Sequence, residues 1–238
     1  TEVLSLRIGR QIVAWGDSDY ARITDVINPR DLTSPGLIDL EDARLPVAAV
    51  RVTLDSEPFV FEAATVHEHP GSKISGKGGD FDYYKVLRSP FISIADKDTP
   101  DIDVENTGVA AKMKFSFNGG DLSLVAASTF DHTPVLRYDG LSGGVMAFTP
   151  EYDRFTTLGI SSSLARGSVL YKFETAIQMD RRMMRNDILT QIGSGVPQSR
   201  VRTTNNEERV AALAGIEYSG ISDLRVSFET QVVHTLNY

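Results

Sequence analysis

Two histidines and two acidic segments are the residues whose types and spacing could hold a metal ion. His67 and His69 stand two positions apart in FEAATVHEH, so on a strand they share one face, and imidazole is a common zinc ligand. No third ligand can be assigned, and we therefore expect strand-end residues and no metal. The segments DSD (17–19) and DKDTPDID (96–103) carry the oxygen ligands that calcium prefers, although a solvated loop is the simpler interpretation.

Catalytic motifs are missing from the sequence. There is no G-x-S-x-G elbow and no assignable set of nucleophile, base and orienting group. GKGGD (76–80) is not a phosphate loop, because no GKS or GKT stands between a strand and a helix. The chain has no cysteine, which excludes disulfides and thiolate metal sites, and its net charge of -8 argues against a nucleic-acid partner. We expect neither an enzyme nor a cofactor.

One basic segment stands out against this acidic background. The run MDRRMMRND (179–187) brings Arg181, Arg182 and Arg185 close together. Guanidinium groups bind phosphate in a bidentate manner, so this run could contact the phosphates of lipopolysaccharide. A solvated loop is the alternative.

The remaining charges alternate with apolar residues, which is the period-two pattern of β-strands. In TGVAAKMKFSFNGGDLSLVAASTF (107–130), apolar residues at 109, 111, 113, 115 and 117 alternate with Lys112, Lys114 and Ser116. Asn118 to Asp121 then supply the positive-φ residues of a tight turn. The segment predicts a hairpin with one apolar and one polar face.

The same pattern recurs along the whole chain. A first strand at 3–15 is followed by hairpins at 46–69, 107–130, 154–180 and 208–233, which gives nine strands. Short turns alternate with long connections at 16–45, 70–106, 131–152 and 181–207. Arg10 shares the parity of Leu4, Leu6 and Ile8, so either a bulge near Gly9 changes the register or Arg10 reaches the membrane interface.

This rhythm predicts an all-β fold, an antiparallel up-and-down transmembrane β-barrel of the outer-membrane type. No apolar run approaches the roughly 18 residues that a membrane helix needs. A soluble β meander or sandwich is the alternative, because alternation alone does not distinguish a lumen from bulk water. Bacterial single-chain barrels usually have an even number of strands, so nine strands predict that residues 1–238 form one partial barrel domain with long extracellular loops.

In such a barrel the polar residues of each strand face the lumen, because hydrocarbon surrounds the outside. The predicted lumen carries charges of both signs. Its candidates are Arg7, Gln11, Arg51, Glu62, Lys112, Lys114, Lys172, Glu174, Glu217, Arg225 and Glu229.

The first strand and loop carry a recognisable pattern. RIGRQIVAWGDSDYARITDVINPRDL followed by LEDARLPV contains G-R-Q-x-x-x-W-G, D-V-I-N-P-R-D and E-x-x-R-x-P. Over residues 6 to 47 it resembles a family of uncharacterised proteobacterial outer-membrane proteins, whose genes often accompany degradation of steroids and other hydrophobic compounds. The GRQ strand also resembles alginate-exporter-type barrels. Members of the first family are typically about twice as long as this chain, and the resemblance implies no catalytic residues.

The connection at 16–45 is a candidate constriction loop. Its apolar residues, among them Ile23, Val26 and Ile27, need a surface to pack on, which favours folding into the barrel mouth. A solvated extracellular loop is the alternative. The polar candidates of the constriction are Asp17, Arg22, Asp25, Asn28, Arg30, Asp31 and Arg44, with arginines expected to pair with carboxylates.

These expectations together predict an outer-membrane channel or transporter. Wall charges and the inward loop would select small solutes, and the family resemblance favours hydrophobic or aromatic ones. The expected partners are outer-membrane lipid, lipopolysaccharide and the solute. The alternative is a structural barrel that a partner protein plugs, that scaffolds a partner, or that displays its loops for adhesion.

Overall fold

The computed structural model describes residues 3–18, 21, 23–38, 42–197 and 200–236. Strands dominate this part of the chain, and nine of them form one antiparallel sheet in the order β1-β3-β4-β7-β8-β11-β12-β13-β14. The nine are β1 (Val3–Gln11), β3 (Val47–Ser56), β4 (Phe59–Val66), β7 (Gly108–Phe117), β8 (Gly120–Phe130), β11 (Arg154–Arg166), β12 (Val169–Met184), β13 (Thr204–Ile221) and β14 (Leu224–Thr235).

The prediction of an all-β fold with nine antiparallel strands is confirmed. Each strand of this sheet pairs with the strand of the same sheet that comes next along the chain, as an up-and-down meander requires. The bounds differ most, by four residues, at three ends. β1 stops at Gln11, while β12 and β13 run past the predicted ends at 180 and 208 to Met184 and Thr204. β12 and β13 pair across these extensions after a register shift between Gln178 and Arg181, where Asp180 has φ 58°.

The first of the two alternatives for Arg10, a bulge near Gly9 that changes the register, is absent from this strand pair, and its reaching the membrane interface stays a prediction. The register of β1 with β3 is continuous from Val3 to Gln11, and Arg10 lies opposite Ala48. Its Nη1 lies 2.6 Å from Oε1 and 2.7 Å from Oε2 of Glu68, and its Nη2 donates to the carbonyl of Pro46 at 2.9 Å. The cation is therefore paired at the end of the strand, on the side of the long connections.

The long connections contain regular elements of their own. β9 (Val135–Ser142) and β10 (Val145–Glu151) form a hairpin, and β6 (Ile92–Ile94) adds to it in parallel. The sequence analysis treated 131–152 as a connection only. The missed signal is Gly143-Gly144, both with positive φ, between two apolar segments, which is a tight-turn pattern.

The connections form a cap with its own apolar core. Tyr84, Leu136, Phe148 and Ile188 are buried together, with eight partly buried residues around them. Ile188 begins the single-turn helix α1 (Ile188–Gly193), and a 3-10 helix covers Lys85–Leu87. The short strands β2 (Asp31–Leu32) and β5 (Lys73–Ile74) pair in parallel.

Neither helix is long and apolar enough to cross a membrane, and the same holds for every helix in the described residues.

The nine-stranded sheet has two contrasting faces. One face, here called the outer face, exposes large apolar side chains such as Ile8 (74%), Phe228 (65%) and Val232 (66%). The other, the inner face, is covered in part by the described residues of the segment 12–46, here called the inner loop, and this contact holds the main core. The fold therefore covers part of the polar face and exposes the apolar face of its largest sheet, which is the reverse of a soluble sheet.

Candidate functional site

The inner face collects all eleven predicted lumen residues. Directly opposed residues of an antiparallel pair share a face, and the registers place Arg7 opposite Arg51, Glu62 opposite Lys112, and Gly215 opposite both Lys172 and Glu229. Alternation along each strand places the other candidates on the same face. Their facing a lumen stays a prediction, whereas their common face is a property of the sheet.

The inner loop reaches Glu174, near the middle of the inner face. The Glu174 side chain has no exposed surface, and Oε1 accepts hydrogen bonds from the backbone N–H of Asp17 and of Ser18, the latter at 2.7 Å. Oε2 accepts from Thr24 N at 3.3 Å and Thr24 Oγ1 at 3.0 Å. A buried carboxylate needs several donors to offset its lost hydration, and the loop supplies four.

Two glycines allow this close approach. A Cβ atom on Gly159 of β11 would lie 2.7 Å from Cγ2 of Thr24, and one on Gly16 would lie 3.0 Å from Cβ of Asp25. A larger residue at either position would need its neighbour in the loop, the side chain of Thr24 or of Asp25, to move. The loop therefore lies flat against the sheet at this level.

Other wall charges hold the loop on both sides of Glu174. Lys112 Nζ donates to the carbonyl of Trp15 at 3.2 Å, and Trp15 Nε1 donates to Oε2 of Glu62 at 3.4 Å. Ser18 Oγ donates to Oε2 of Glu229 at 2.7 Å. Mixed charges on the wall thus serve as a polar binding surface for the chain's own loop.

Apolar packing accompanies these polar contacts. Val13, Trp15, Val26 and Ile27 pack on wall residues of β3, β4, β7, β8 and β11, and Ile23 packs on β12 and β13. Trp15 is 1% exposed and is the only tryptophan of the chain. Of the two alternatives for residues 16–45, an inward-folded segment and a solvated loop, the structure has the first for Ile23, Val26 and Ile27, which pack on the sheet, whereas Leu37 and Ile38 are exposed.

The loop is also held together internally. Asp25 Oδ2 accepts from Arg30 Nη2 at 2.7 Å and from Arg44 Nε at 2.9 Å, and all three side chains are buried. Asn28 joins the two ends of the loop, because its Oδ1 accepts from Val13 N and its Nδ2 donates to the carbonyls of Gln11 and Leu45.

The other constriction candidates have different surroundings. Asp31 contacts Lys73 Nζ at 2.8 Å instead of an arginine, and hydrogen bonds from Lys73 and Thr33 lower the pKa of Asp31 to about 2. Asp17 contributes its backbone N–H to Glu174. Arg22 lies outside the described residues. The constriction itself stays a prediction.

Sequence comparison assigns the family at this point. A family model described as "Protein of unknown function (DUF1302)" matches residues 1–238. The chain belongs to this family. No curated protein and no solved structure matched the chain.

Membership of an uncharacterised family is thus confirmed over the whole chain, beyond the motif at residues 6–47. In this DUF1302 chain, the motif residues form the inner loop and its contacts with the sheet. Gln11 donates from Nε2 to the carbonyl of Ala49 at 2.9 Å, Trp15 and Gly16 approach the wall, and Asn28 closes the loop. The sequence alone places these residues in one motif, but it does not show that the loop contacts Glu174, about 150 residues away.

The side chains considered above as possible metal or phosphate ligands have other partners. His69 Nε2 lies 2.7 Å from the carbonyl of Asn106, and burial lowers the pKa of His69. In the described residues no group of three or more His, Cys, Asp or Glu side chains could hold a metal. The three arginines of 179–187 are paired with carboxylates, namely Arg181 with Asp131, Arg182 with Asp153 and Arg185 with Asp187.

We predict that Glu174→Gln loosens the inner loop. The amide keeps the size of the side chain but removes the charge and presents an NH₂ group to donors, which costs about 2 kcal/mol at a buried site. Because Trp15 is the only tryptophan, acrylamide quenching of its fluorescence reports the loop directly.

Quenching should rise in Glu174→Gln and stay at the wild-type level in the matched variant Glu217→Gln. Glu217 lies on the same face but pairs with Arg225 at 2.7 Å and not with the loop. Equal quenching in all three proteins would show that Glu174 does not hold the loop.

Proposed function

We propose that this chain forms part of the wall of a β-barrel in the bacterial outer membrane and that the barrel passes small solutes. The observation that carries the proposal is the reversed polarity of the sheet. Its outer face exposes apolar side chains from Leu4, Leu6 and Ile8 on β1 to Val226, Phe228 and Val232 on β14, each more than half exposed. A face of this extent needs an apolar environment, and a closed barrel is the sheet architecture that satisfies backbone hydrogen bonds in lipid.

The lengths and connections of the strands support the same setting. The nine strands have 8 to 18 residues, and the short turns lie at one end of the sheet. In the described residues β1 pairs only with β3, and β14 only with β13. Both edges therefore have free hydrogen-bonding groups, which we propose are paired by further strands that complete the ring.

The inner loop supports a channel with a constriction. It contacts the inner face as far as Glu174, while Lys114 lies nearer the turns, where its Nζ is 3.4 Å from Oδ2 of Asp121. Solutes would pass beside the loop, along charges of both signs. The resemblance described above favours small hydrophobic or aromatic solutes, and outer-membrane lipid and lipopolysaccharide would surround the wall.

One observation favours a second candidate, a closed structural barrel. Glu62, Lys112, Glu174 and Glu229 all form hydrogen bonds with the loop, so many charged groups of the wall already have partners within the chain itself. Such a barrel would act as a scaffold for a partner or display its cap for adhesion.

Two neighbouring residues on opposite faces test the membrane setting. Arginine on the lipid face costs about 2–4 kcal/mol at the bilayer midplane and little in a water-filled lumen. Phe228→Arg on the outer face should therefore lower the urea stability of the protein in phospholipid vesicles, whereas Ser227→Arg on the inner face should leave it nearly unchanged. Similar stabilities for the two variants would contradict a lipid-facing outer face.

Charge reversal on the inner face tests conduction. We expect planar bilayers containing the wild-type protein to show discrete channels, and Lys114→Glu to shift the reversal potential in a KCl gradient toward cation selectivity. The control is Lys85→Glu in the cap, which changes the net charge equally and should leave selectivity unchanged. Inserted protein that never conducts would favour the closed barrel.

A further inference from the structure

A small polar cavity lies between the inner loop, the cap and the sheet. Its volume is about 120 Å³, and it is lined by Val26, Asp131, His132, Thr133, Phe155, Gln178, Arg181 and Arg209. Thr133 is exposed, so the cavity has a way to solvent at the cap. Gln178 and Arg209 lie directly opposite each other on β12 and β13, which fixes the floor of the cavity.

Two arginines share this cavity with one carboxylate. Both oxygens of Asp131 are occupied, because Oδ2 lies 2.7 Å from Arg181 Nη2 and Oδ1 accepts from Thr133 N at 3.0 Å. Arg181 Nη1 donates to Gln178 Oε1 at 2.6 Å. The formal charge of the lining residues Arg181, Arg209 and Asp131 is therefore +1, while Glu207, buried opposite Arg181 on β13, lies outside the lining.

Arg209 is the arginine of this cavity that has no carboxylate at contact distance among the described residues. In the described part of the chain no residue forms a hydrogen bond or an ion pair with its guanidinium group. Its Nε is buried without a partner, and so is Nε of Arg181. Buried guanidinium donors that lack partners are costly, and an anion in the cavity would satisfy them.

The rest of the lining limits the kind of anion. Val26 and Phe155 present apolar surface, and Arg181 stacks over the Phe155 ring with its Cζ 5.3 Å from the centroid. The volume is slightly below the roughly 150 Å³ of an engineered cavity that binds benzene, which has six non-hydrogen atoms. One negative charge on a short apolar body matches both the net charge and the lining.

We propose that this cavity binds a small monocarboxylate, with its carboxylate at Arg209 and Nε of Arg181 and its hydrocarbon part against Val26 and Phe155. The site uses the inner loop as one wall and the cap as another. It does not depend on whether the protein conducts solutes, since the residues that form it belong to the folded chain alone.

The test is a ligand-observed NMR titration of the purified, folded protein with butyrate, and with 1-butanol as a neutral ligand of similar size. We expect saturable binding of butyrate and binding at least about tenfold weaker for 1-butanol, because charge-assisted hydrogen bonds carry the recognition. Equal binding of the two ligands, or no saturable binding of butyrate, would overturn the proposal without any variant.

Variants locate the site. Arg209→Gln should weaken butyrate binding about tenfold or more, and Arg209→Lys should retain part of it because the charge remains. The matched control is Arg166→Gln, at an exposed turn far along the sheet, which should bind like the wild type. Unchanged binding in Arg209→Gln, or an equal loss in Arg166→Gln, would exclude the cavity as the site.

Discussion

The structure depends on one buried carboxylate. Glu174 sits on a wall strand with no access to solvent, and its only described hydrogen-bond donors come from the inner loop, at Asp17, Ser18 and Thr24. A carboxylate left in that position without donors would be strongly unfavourable. The sheet and the inner loop therefore stabilise each other, and the apolar packing of Trp15 and Ile23 on the sheet adds to this stabilisation.

The contact between the inner loop and Glu174 explains how charged side chains are distributed over the inner face. Near the middle of the inner face, wall charges are used to bind backbone and side chains of the loop. Nearer the turns, charges pair within the wall, as Arg225 does with Glu217 and Lys114 with Asp121. On the outer face, by contrast, large apolar side chains are exposed. The proposed setting, with lipid on one side and water plus the loop on the other, would account for this distribution.

Local periodicity predicted the sheet well. Alternation with period two identified the nine strands and the shared face of residues as distant as Arg7 and Glu229, because both follow from local backbone geometry. The hairpin of β9 and β10 was missed, since its strands lie in a stretch interpreted as a connection, although the turn at Gly143 and Gly144 was visible.

The contacts of the candidate site were less predictable. The apolar content of residues 16–45 suggested that they pack inward, but the donors and acceptors meet across about 150 residues of sequence, as Thr24 and Glu174 do. Only the register of the assembled sheet brings them together. The cavity at Arg209 has the same origin, since its lining comes from the loop, the cap and three wall strands.

The central claim is that the seated loop sets the width of the passage. The most direct measurement is the single-channel conductance of a triple variant, Glu174→Gln with Thr24→Cys and Gly159→Cys. The two cysteines would form a reducible disulfide between the loop and the sheet, and the chain has no other cysteine. A Cβ at position 159 would lie 2.7 Å from Cγ2 of Thr24, so the two sites are close enough for a disulfide. The account predicts a larger conductance when the disulfide is reduced and a return to the wild-type value when it is oxidised. The same conductance in both states would contradict it.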